Sequence, residues 1–89
     1  MPIISMFHGV IIRMFFNDDK KHHIPHIHAE YQGKEAVYSI IDGDRLGGEI
    51  QVSREKLVLA WIEIHKEDLQ AAWNLAIHGS GILPIKGLE

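Results

Sequence analysis

The chain has no cysteine in its 89 residues. That excludes disulfides, thiolate metal sites and cysteine nucleophiles together, and it fits a reducing, cytoplasmic setting. It also carries little excess charge, a net −3 with histidines neutral. No basic footprint for nucleic acid is present, although Arg54, Lys56 and Lys66 lie close enough in sequence for a local basic patch. No apolar run approaches the roughly 20 residues that a membrane helix requires. The stretch Met1 to Phe16 is apolar but broken by His8 and Arg13. It lacks a basic leader and a small-residue cleavage site, so it does not read as a signal peptide. P-loop, dinucleotide fingerprint, nucleophile elbow and HExxH patterns are all missing, as are internal repeats and low-complexity tracts. One domain over residues 1–89 is expected.

What remains is an ordinary globular composition, 46% hydrophobic and 24% charged, which argues against disorder. A chain this short buries only roughly 60–65% of its unfolded surface, so a homo-oligomer or a protein partner would add to its stability.

Residues Gly9 to Phe16 are β-branched and aromatic and predict a strand. Val10, Ile12, Met14 and Phe16 fall on one face, and Ile11, Arg13 and Phe15 on the other. Residues Asn17 to Lys21 form a polar loop. From His26 to Tyr31 the pattern alternates, with Ile27, Ala29 and Tyr31 opposite His26, His28 and Glu30, as in a half-buried strand. Gln32-Gly33-Lys34 predicts a turn into a returning strand over Glu35 to Ile41. Asp42-Gly43-Asp44 is a second turn, and Leu46 to Val52 a weaker fourth strand. From Ser53, a good N-cap, the period becomes helical. Val58, Ile62, His65, Leu69, Ala72 and Ala76 form one stripe, widened by Trp61, Ile64 and Trp73. Gly79 is a natural stop, and the length fits one helix with a kink or two helices broken near His65–Asp68. The tail is a strap with anchors Ile82, Leu83, Ile85 and Leu88. Strands followed by helix predict an α+β fold: a small antiparallel sheet of three to four strands with a long or kinked C-terminal helix packed on one face.

The segment His22 to His28 is the chemically distinctive one. It holds His22, His23, His26 and His28, four imidazoles in seven residues. Two apart on a strand, His26 and His28 share a face and can offer two nitrogens to a divalent transition metal such as zinc or nickel, with His22, His23 or Glu30 as a third ligand. The same pair can serve as general acid and base, or hold purely structural hydrogen bonds. Arg13, inside an apolar strand, needs an acidic partner, for which Glu30 is a candidate, or else binds an anion such as phosphate. His65, on the helical stripe, has Asp68 as a local partner.

Taken together, Pro2-Ile3-Ile4-Ser5-Met6-Phe7, Gly9, Ile12-Arg13-Met14-Phe15-Phe16, Pro25-His26-Ile27-His28-Ala29-Glu30-Tyr31, Ala36-Val37, Leu57-Val58, Trp61, His65-Lys66-Glu67-Asp68-Leu69 and Trp73 resemble the bacterial family called domain of unknown function 4160. The resemblance covers essentially the whole chain and is most specific at Pro-His-x-His-Ala and the later Trp-x-x-x-His. Many members lead into the histidine pair with an acidic-His-x-Pro-Pro segment, whereas here the lead is longer, Asp18 to Ile24, with two extra histidines. The resemblance implies a genetic neighbour from a second short family, domain of unknown function 2442, in a toxin–antitoxin-like arrangement. On that footing the chain is expected to be a component of a two-gene module, the toxin half being one reading, that acts by protein–protein interaction. The alternatives are a hydrolase or nuclease using His26, His28 and Arg13, and a metal-binding module using His22, His23, His26 and His28.

Overall fold

The computed structural model describes residues 3–14, 24–79, 81 and 84–88. Five strands, β1 (Ile3–Phe7), β2 (Val10–Arg13), β3 (His26–Tyr31), β4 (Lys34–Ser39) and β5 (Arg45–Gly48), are followed by helices α1 (Val52–Ile64) and α2 (Lys66–Ile77). The strands pair in chain order, each antiparallel to the next. This is the α+β arrangement anticipated, with one strand more and the helix divided.

Two tight turns set the register. His8 and Gly9 both take positive φ (48° and 82°), as do Gln32 and Gly33 (49° and 80°). Such two-residue loops match the right-handed twist of the strands they join. The first turn makes the apolar N-terminal segment into β1, a strand the alternation alone does not announce because His8-Gly9 is a weaker turn signal than Asn-Gly. The second fixes Tyr31 opposite Lys34, and hence Ala29 opposite Ala36 and His28 opposite Val37.

Partners directly opposite share a face, so the register sorts the sheet. One face carries Phe7, Val10, Ile12, Ile27, Ala29, Ala36 and Tyr38. These join Val58, Trp61, Ile62, Leu69, Ala72, Trp73 and Ala76 of the helices in the core. The anticipated helical stripe is buried as expected except at its edges: Ile64 is exposed and His65 only half-buried. The reason is the break. His65 (φ −108°, ψ 23°) ends α1 and begins α2, its N–H still donating to Trp61 O and its carbonyl accepting from Leu69 N. Gln51, not Ser53, is the N-cap of α1, without a side-chain cap bond. Val52, assigned to the fourth strand by pattern, opens that helix because β5 stops at Gly48, whose φ is positive. Gly79 (φ 73°) ends α2 as its sequence position suggests.

Sheet and helix are tied by polar contacts as well. The buried Tyr38 hydroxyl donates to Glu55 Oε2 at 2.7 Å, and Arg45 donates to the same oxygen at 3.2 Å. Burial, reinforced by the Glu55 carboxylate, pushes the Tyr38 phenol far above its usual range. The C-terminal strap lies on the core through Ile85 and Leu88 and is held by the Trp61 indole N–H donating to Lys86 O at 2.9 Å. Ile82 and Leu83 lie outside the described residues. No helix among the described residues is long and apolar enough to cross a membrane.

Candidate functional site

The second sheet face is built from alternate residues of the same strands. One row across it reads Ile3, Arg13, His28, Val37, Gly47, and the next Met6, Ile11, Glu30, Glu35. His26, opposite Ser39, stands beyond the first row. The singled-out residues Arg13, His26 and His28 are thus brought together. His22 and His23, also proposed as ligands, lie outside the described residues, as do Phe15 and Phe16.

His26 and His28 are not the exposed side of a half-buried strand. His26 is fully buried and His28 only 8% exposed. Their ring centroids are 5.3 Å apart, and the Trp73 indole of α2 lies 5.1 Å from His26 on a tilted plane. The pattern missed this because Trp73 joins the row from a helix some 45 residues away in sequence. The surroundings also set the tautomers. His26 Nδ1–H donates to the Ile24 carbonyl at 2.8 Å, and a carbonyl can only accept. His28 Nδ1 meets the Glu35 carboxylate at 3.3 Å. With Nδ1 engaged in this way, each ring turns Nε2 to its other side, and that of His28 is sealed from solvent.

Arg13, directly across from His28, pairs with Glu30 at 3.7 Å, as its place in an apolar strand required. Glu30 and Glu35 stand opposite one another. Like charges so placed repel, and each is offset by its own cationic or imidazole neighbour. Glu35 is the member of this group that sequence reasoning missed. A count across the two-residue turn puts it two positions from the residue opposite His28, within diagonal reach. The second histidine of interest, His65, meets Asp68 at 3.7 Å and Trp61 at a ring distance of 5.6 Å. Among the described residues no three His, Asp or Glu side chains converge where a metal ion could sit.

The accessible groups around this buried ladder are of a different kind. A bulge between Ile3 and Ser5 shifts the register of β1 by one residue, so that Ile3 and Met6 point to the same face. They are 45% and 63% exposed, beside half-buried Ile11. Elsewhere, a cleft of about 280 Å³ separates α2 from the strap, bounded by Asp68, Leu75 and Ile85. Another of about 390 Å³ lies at the start of α1, bounded by Tyr31, Lys34 and Gln51. Neither borders the histidines.

A five-stranded antiparallel meander with two helices packed on it, and a buried histidine pair on β3 whose His26 ring meets Trp73 of α2, defines a small α+β domain. The chain belongs to the family described as Domain of unknown function (DUF4160), whose model matches residues 9–74. No curated protein and no solved structure matches it.

Proposed function

We propose that this protein acts by binding another protein, as one component of a toxin–antitoxin-like two-gene module. The observation that supports this most directly is the apolar corner of the sheet: Ile3 and Met6 are exposed together because a bulge re-aims β1. The histidines beside it are buried, which suits a framework for the surface more than a reacting centre. Large exposed apolar side chains grouped at one place mark association sites. The partner expected is the small neighbour-encoded protein. The decisive measurement is native mass spectrometry of untagged protein co-expressed with that neighbour. A complex of defined stoichiometry, lost on Met6→Lys while the fold is kept, supports the reading. Failure to associate at micromolar concentration removes it.

A second reading, a hydrolase or nuclease, is favoured by one contact. A carboxylate on His28 Nδ1 is the arrangement that orients an imidazole base, and Arg13 stands opposite to steady a phosphate. It requires Nε2 of His28 to become accessible. If His28→Gln and Arg13→Gln chains keep full toxicity and RNA cleavage, this version is finished. Zinc or nickel held by His26 and His28 would appear in the same spectra as a chelator-sensitive mass increment.

A further inference from the structure

A sheet edge exposes unpaired N–H and C=O groups, and proteins guard such edges. β1 is one edge of this sheet, and the strap lies along it. Ile85 N–H donates to Ile4 O at 2.7 Å, and Gly87 sits so close to Met6 O that a Cβ there would approach it to 2.8 Å. From Ile4 to Met6 the strap advances from Ile85 to Gly87, so it runs parallel to β1, unlike every strand pair in the sheet. Parallel pairing is the weaker of the two per residue. Ile85–Ile4 is the backbone hydrogen bond that fastens residues 84–88 to β1 among the described residues. Among the described residues that bond, the Trp61–Lys86 bond and the apolar anchors Ile85 and Leu88 hold the guard, whose pairing with β1 is of the weaker, parallel kind.

We propose that the outer edge of β1 is a strand-addition site and that residues 84–88 are its occupant in cis, displaced when an extended apolar segment of the partner pairs with β1. The proposal rests on the partner-binding reading and names its surface. Main-chain hydrogen bonds would supply affinity. The strap's own spacing, apolar side chains where Ile85 and Leu88 sit and a glycine where Gly87 sits, describes the segment that fits. Exposed Ile3 and Met6 flank the same edge and extend the contact. Because the tethered strap competes, it lowers the apparent affinity of any incoming segment by the fraction of time the edge is open.

The test uses the full chain and a fluorescent peptide with the sequence of residues 81–89, titrated by anisotropy. Ile85→Pro removes the donor to Ile4 O, and Gly87→Val forces the strap off Met6 O. Both variants are expected to bind the peptide roughly two- to tenfold more tightly than the parent, the worth of about one hydrogen bond. Their Trp61 indole proton resonance should move when the strap leaves and return on saturation with peptide. A moved resonance without peptide binding overturns the proposal. So does a resonance unmoved in both variants, because the strap would then not be displaceable. The parent chain supplies a check independent of variant folding: the Ile85 amide should exchange with solvent far faster than the core amides of β3. Exchange as slow as the core refutes a removable strap. No partner enters these measurements, so they fail or succeed separately from the two-gene reading.

Discussion

Gly33 and Gly48 both hold left-handed backbone, with φ of +80° and +70°, yet their surroundings differ completely. An added Cβ at Gly33 meets nothing within 4 Å; at Gly48 it would lie 2.2 Å from Glu35 O and 3.0 Å from Ala36 Cα. Alanine in this conformation costs about 1–2 kcal/mol, part of which is offset by the stiffer unfolded chain. Gly33→Ala should therefore lose about 1 kcal/mol. At Gly48 the obstruction is backbone, so no side chain can swing away. β4 and β5 must part, giving up the Ala36–Gly48 pairing and the Glu49 N–H bond to Glu35 O. At about 1 kcal/mol for each hydrogen bond, Gly48→Ala should lose about 3–4 kcal/mol in all. For a domain of this size 1 kcal/mol shifts the melting midpoint by roughly 4–8 °C. Thermal unfolding followed by circular dichroism should show a few degrees for Gly33→Ala and about 15–25 °C for Gly48→Ala. Equal shifts would refute the steric argument and leave only the shared φ penalty.

Tyr38→Phe should lose about 1–2 kcal/mol near neutrality, since the hydroxyl bond to Glu55 is charge-assisted. It should also abolish an alkaline slope. The folded phenol holds its proton above its unfolded range, so its contribution is complete below about pH 10 and falls as pH rises beyond it. Urea midpoints at neutral and alkaline pH test both statements. His26→Ala should cost about 2–4 kcal/mol through the cavity left against Trp73 and His28, to the same extent with and without chelator in calorimetry. A chelator-dependent loss would point to metal instead. Met6→Lys should change urea stability by less than about 0.5 kcal/mol while weakening the partner complex in native mass spectrometry.

Local chemistry was sufficient for much of this molecule. Alternation over Val10, Ile12, Ile27, Ala29, Ala36 and Tyr38 marks one buried face, because strand side chains have period two whatever packs on them. The apolar stripe and Gly79 mark the helices, and the ill-placed charge of Arg13 demanded an acidic neighbour that β3 supplies in Glu30. Three things were beyond local pattern. The strand status of Ile3–Phe7 depends on β2 lying beside it. The burial of His26 depends on Trp73 arriving from α2, and that of His28 on Val37 and Glu35 across the hairpin. The guarded edge depends on residues 84–88 returning to β1 after both helices. A sequence specifies which side chains each element offers to either face; burial, ion pairing and edge protection arise only when distant segments meet, and here that meeting turned a polar-looking strand into core and an apolar N-terminus into a covered edge.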